Sequence, residues 1–141
     1  MQTPSTVLND ASPIARRLSL ESLVAASASQ QGVATDSDEL KLNLHAHTIY
    51  SYNGYGYSPT YLAWLASRER WYALGTVDFD VLDGVDETLE ASALCNVRGA
   101  AGFETRVFLP DRPQDVFNSP GEPGVMYFVG MGLTSSTPAV S

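Results

Sequence analysis

Residues 40–56 read LKLNLHAHTIYSYNGYG and carry His45 and His47, the two histidines of the chain. Leu42, Leu44 and Ala46 alternate with Asn43, His45 and His47, the period of two that marks a strand. Side chains two apart on a strand leave on one face, roughly 6.5–7 Å from each other. Two neutral imidazoles so placed can converge on a single divalent metal through bonds of about 2.1 Å. The leucines are then expected to face the other way, toward covering helices.

Downstream, residues 48–57 form a loop in which Tyr50, Tyr52, Tyr55 and Tyr57 surround the pair Asn53-Gly54, a turn signal. Gly54 and Gly56 lack the third glycine of a dinucleotide fingerprint. The tyrosines either wall a ligand or pack the loop shut. Ser58 as cap and Pro59 at the first helical position open a helix whose buried side is Leu62, Trp64, Leu65 and Ala66. Residues 71–77 read as a second strand, short and apolar enough to be covered on both faces, and it ends in Asp78-Phe79-Asp80. Asp83 is expected to cap a further helix, with Val85, Leu89 and Ala93 inward and Asn96 at its end. Residues 97–110, VRGAAGFETRVFLP, give a third strand with Glu104 in its middle and Arg106 on the same face, placed to form an ion pair with it. A proline-rich loop over residues 111–124 leads to a last strand over residues 125–133, VMYFVGMGL.

Upstream, Ser12 and Pro13 start a helix with Leu18, Leu20, Leu23 and Val24 as its apolar stripe and Gly32 as its stop. Residues 35–39, TDSDE, are an acidic linker. Residues 1–36 are therefore expected to be a helical extension with its linker, and residues 37–141 an α/β domain. Alternating helices and strands predict a parallel sheet with crossover connections. The last strand has no helix after it, which points to a barrel cut short.

Composition narrows the function. The 141 residues suffice for one domain with a real core, and 44% of them are hydrophobic. A net charge of −8 with a pI near 4.5 excludes a binder of nucleic-acid backbones, which needs Lys and Arg against phosphate. A small anionic substrate stays open where a bound metal inverts the local charge. Cys95 is a lone cysteine, so there is no disulfide framework, and a reduced cytosol fits. Neither a run of about 18 apolar residues nor an apolar signal core is present. A soluble, cytoplasmic protein is the expectation, and oligomeric state is left open.

Three polar clusters fall at or near the ends of successive strands: His45 with His47, Asp78 with Asp80, and Glu104. On a parallel α/β barrel such strand ends form one face, where sites are built. Imidazoles with carboxylates suit Zn, Mn or Fe. A metal held there ionises water and polarises a phosphoryl oxygen.

Taken together, the motifs resemble a family. LNLHAHTIYS is similar to the opening motif of the PHP domain, the polymerase and histidinol phosphatase family of metal-dependent phosphoesterases. GTVDFDVLDGVDETLEA resembles its second motif, T-D-H-D-x-x-D-G, and GAAGFETRVF its third, G-x-E. The likeness covers residues 42–109. It implies the N-terminal part of a distorted seven-stranded (β/α) TIM-like barrel that holds up to three metals, with His45, His47 and Glu104 in ligand positions and a small phosphorylated substrate. Phe79 stands where the family has a ligand histidine, Tyr52-Asn53 where its first motif continues with aspartate, and Tyr127 and Phe128 near a further family histidine. Asp78 can serve as a substitute ligand. The resemblance thus implies a reduced site with one metal rather than three. Hydrolysis of phosphate esters by a metal-bound hydroxide is the first functional expectation. A degenerate PHP module acting as scaffold or small-ligand binder is the second, and an amidohydrolase-type metal hydrolase, which also begins with a His-x-His strand, is the third.

Overall fold

The structure is a computed structural model that describes residues 3–28 and 40–134. The acidic linker and the expected Gly32 stop lie outside the described residues. The chain runs α1 (Pro4–Leu8), α2 (Pro13–Ala28), β1 (Leu42–Ala46), α3 (Pro59–Arg68), β2 (Ala73–Phe79), α4 (Val85–Leu94), β3 (Arg98–Phe108) and β4 (Val125–Met131).

The strands form one curled four-stranded sheet in the order β1-β2-β3-β4. β1, β2 and β3 are parallel and are joined through α3 and α4. β4 is antiparallel to β3, from Gly102 beside Met131 to Phe108 beside Val125. This corrects the expected all-parallel sheet. The connection over residues 109–124 folds back on itself through backbone bonds such as Leu109 N–H to Gly124 O and Gly124 N–H to Asp115 O, both 2.8 Å. It returns the chain as a long hairpin, so the last strand needs no crossover helix.

Local chemistry accounts for most element ends. Ser12 Oγ accepts from Ala15 N–H at 3.3 Å at the start of α2. Ser58 Oγ accepts from Tyr61 N–H at 2.9 Å at the start of α3, with Pro59 in the first turn. α4 begins at Val85 after Gly84, without a side-chain cap, so Asp83 does not cap it. The helix ends at Leu94, and Asn96 takes a left-handed φ of 55°, a conformation that asparagine tolerates well.

The core lies between the sheet and its helices. Leu62, Ala63 and Ala66 of α3, Ala91 of α4, Cys95 and Leu74 of β2 pack with Leu8 and Leu20 from α1 and α2. Burial pushes the Cys95 thiol up to about 11, so it stays protonated near neutral pH. The inward side of α4 is Val85, Thr88, Ala91 and Ser92, while Ala93 is exposed. It is set by Thr88 meeting Thr76 at 2.7 Å and by Ser92 over Gly99. Leu18 faces solvent, and Leu42 and Leu44 are 55% and 45% exposed. Among the described residues the helix layer packs on β2 and β3 rather than on β1, which leaves those two leucines uncovered. Among the described residues no helix is long and apolar enough to cross a membrane.

Candidate metal centre

β1 is an edge strand with one irregularity. Leu42 lies beside Ala73 and Asn43 beside Leu74, but Ala46 lies beside Thr76. Three steps on β1 thus match two on β2, a bulge that re-aims the side chains within it. The Asn43 side-chain oxygen accepts from the His45 backbone N–H at 2.9 Å across it. Both imidazoles then reach the open face of the sheet. Nε2 of His45 lies 3.1 Å and Nε2 of His47 lies 3.2 Å from one atom, Oε2 of Glu104. The rings meet steeply, at 76° with centroids 5.3 Å apart.

Glu104 comes from the middle of β3, where strand register sets it beside Phe79 on one side and Val129 on the other. Its side chain is 8% exposed, that of His47 16% and that of His45 52%. A carboxylate this buried is costly unless something answers its charge, and two imidazole N–H groups can do so. The same three atoms also suit a cation. Tetrahedral bonds of about 2.1 Å place donor atoms about 3.4 Å apart, near the two nitrogen–oxygen separations here, and the three donor atoms lie within 4.8 Å of one another. Two nitrogens and one carboxylate oxygen are a donor set for Zn, Mn or Fe. Three protein ligands with a further position open is the pattern of catalytic rather than structural zinc sites. His47 Nδ1 is buried without a hydrogen-bond partner, where a ligating histidine ordinarily donates to an acceptor. Its ring is oriented instead by packing against Phe79, 6.2 Å between centroids.

Among the described residues, His45, His47 and Glu104 come together as a group that could hold a metal ion. Asp78, the fourth expected ligand, does not join them. It precedes Phe79 on β2 and therefore lies on the opposite face. There its Oδ1 accepts from Thr48 N–H and its Oδ2 from Thr48 Oγ1, both at 2.6 Å. Asp78 fastens the loop after β1 to the end of β2, and Ser51 Oγ adds a bond from Phe79 N–H at 3.0 Å. The loop turns tightly at Gly54, where a Cβ would fall 1.9 Å from the Thr48 carbonyl oxygen.

Phe79 is 3% exposed and anchors an aromatic group. Tyr52 meets it edge-on at 5.2 Å, Tyr127 at 5.5 Å, and the Arg106 guanidinium lies 5.8 Å from its centroid. Arg106 pairs with Glu122 at 3.2 Å, not with Glu104 as its strand position suggested. The four loop tyrosines divide their roles. Tyr52 joins the aromatic group, Tyr57 packs on Tyr61, Tyr50 enters a buried polar network, and Tyr55 points into solvent.

That network had no signal in the sequence. Arg16 is fully buried; its Nε and Nη2 donate to the two oxygens of Glu87 at 2.8 and 2.5 Å, and its Nη1 donates to the Asp10 carbonyl at 2.6 Å. Tyr50 Oη and Thr60 Oγ1 donate to the same carboxylate at 2.9 and 2.6 Å. Burial alone would raise the Glu87 pKa, but the bonds from Arg16, Thr60 and Tyr50 and the charge of Arg16 outweigh it and hold it below the usual value. A groove of about 310 Å³ between α2 and α4 borders this network, on the helix side of the sheet and apart from the histidines.

No protein-family model, no curated protein and no solved structure matches this chain.

Proposed function

We propose that the chain is a PHP-like metal-dependent phosphoesterase whose curled sheet corresponds to the metal-bearing strands of that barrel. One observation carries the reading: two imidazole nitrogens, 3.1 and 3.2 Å from a single buried carboxylate oxygen, on the open face of a sheet. His45, His47 and Glu104 hold one divalent cation. When bound, that cation supplies Lewis-acid polarisation of a phosphoryl oxygen and makes a water acidic enough to ionise near neutral pH. His45, half-exposed, leaves the site open to substrate, and His47 and Glu104 anchor it in the sheet. Phe79, 3% exposed, gives the site one apolar wall beside His47.

A second reading is favoured by Phe79 itself. A phenyl ring packed among Tyr52, Tyr127 and His47 removes a family ligand, and a site so reduced suits a module that binds one metal without turnover. Hydrolysis of 4-nitrophenyl phosphate by protein loaded with Zn²⁺ or Mn²⁺ separates the two. The phosphoesterase reading expects turnover that disappears in the His45→Ala/His47→Ala double variant. Metal bound at one equivalent with no turnover, or turnover that survives in the double variant, contradicts it.

A further inference from the structure

Among the described residues, the open face of the sheet carries a loosely held cation, Arg106, near His45, His47 and Glu104. Arg106 follows Glu104 by two residues on β3 and so projects from the same face. Its guanidinium sits over Phe79, 5.8 Å from the centroid, and Phe79 in turn packs against His47, 6.2 Å between ring centroids. Of its five N–H donors, the hydrogen bond in place is Nη1 to Glu122 Oε1 at 3.2 Å. The two side chains are 47% and 32% exposed, and ion pairs so exposed are weak and easily exchanged. Two oxygens of a tetrahedral phosphate present the two-pronged acceptor that a planar guanidinium fork matches. Beside it Tyr52 meets the buried Phe79 in a T-shaped contact and, 72% exposed, leaves most of its ring to solvent.

We propose that Arg106 is the anion-recognition residue of this site and that Tyr52 is a stacking platform beside it, so that the preferred substrate is a phosphate ester bearing a planar ring. The proposal rests on the metal-centre reading for its chemistry, but its residues are distinct from the metal ligands. On binding, the phosphoryl group takes the place of Glu122 on Arg106, while the ring lies on Tyr52. Glu122 keeps the bond from Tyr127 Oη, 3.1 Å, and stays in place as Arg106 changes partner.

The test uses the full chain titrated with phenylphosphonate and methylphosphonate, each with and without Zn²⁺, in wild type, Arg106→Gln and Tyr52→Ala, with Zn²⁺ affinity measured separately. The expected result is unchanged Zn²⁺ affinity in both variants, phenylphosphonate binding about tenfold weaker in Arg106→Gln, and a preference for the phenyl over the methyl compound that disappears in Tyr52→Ala. Glu122→Gln, which removes the carboxylate that competes with phosphate for Arg106, is expected to tighten phosphonate binding. Phosphonate affinity unchanged in Arg106→Gln while Zn²⁺ still binds, or no phosphonate binding by wild type in either condition, overturns the proposal. Failure of wild type to take Zn²⁺ overturns the metal reading instead. In that event phosphonate binding that depends on Arg106 in zinc-free protein still supports the present inference.

Discussion

At the scale of the residue, the site turns on which face of its strand each side chain occupies. Glu104 and Phe79 are cross-strand neighbours on the open face, and Asp78, one residue before Phe79, is on the helix side. Asp78→Asn is therefore expected to leave metal content unchanged and to destabilise the fold by about 1–3 kcal/mol, the usual loss when a hydrogen bond to a charged group is broken. Metal analysis alongside chemical denaturation checks this, and a loss of metal without loss of stability would restore Asp78 as a ligand. Phe79→His places an imidazole among aromatic rings beside His47. If the backbone follows the family geometry, the variant gains metal; if Phe79 is only a packed core residue, it is destabilised by about 1–3 kcal/mol, as a buried polar group without a partner is. The burial of Phe79 and its three ring contacts favour the second outcome, with metal stoichiometry unchanged and a lowered melting point.

At the scale of the element, the Arg16–Glu87 pair joins α2 to α4 and, through Tyr50 and Thr60, to the loop after β1 and to α3. Removing one partner of a buried pair leaves an unanswered charge and costs about 3–5 kcal/mol, the loss expected for Arg16→Met. The Glu87 carboxylate is held below its usual value of 4.5, so its contribution to stability is complete above that value and is lost as pH falls through the lower, folded one. Acid titration of stability is thus expected to show a loss below about pH 4.5 that is smaller in Glu87→Gln; identical profiles would contradict it. The limits of the sequence are visible here. Alternation at residues 42–47 and the apolar run before Asp78 marked β1 and β2, because period and composition are local properties. The direction of β4 was not legible, because VMYFVGM reads the same in a parallel or an antiparallel ladder and the turn was hidden in a proline-rich loop. Arg16 in the run Ala-Arg-Arg-Leu looks like a solvated residue, and its burial is decided by a carboxylate 71 positions away. Glu104 and the histidines were legible as types at strand ends, but their convergence on one oxygen needed the register of three strands.

At the scale of the whole molecule, the helices cover one face of the sheet and leave the other to the site. β1 and β4 are edges, and Val107, Phe108, Met126 and Phe128 are exposed at the β3–β4 end, with Leu42 and Leu44 exposed on β1. Open edges and uncovered apolar residues invite pairing between chains. The protein is expected to associate as its concentration rises, and Phe128→Lys is expected to reduce that association; light scattering across a dilution series checks both. A monomer at every concentration would mean that the edges are protected. The central claim is the metal centre, and elemental analysis of purified protein tests it most directly, on wild type and on His45→Ala/His47→Ala, both shown to be folded by circular dichroism. The expected result is about one equivalent of Zn, Mn or Fe in wild type and almost none in the double variant. Equal metal in the two folded proteins, or none in wild type even after dialysis against Zn²⁺, contradicts it.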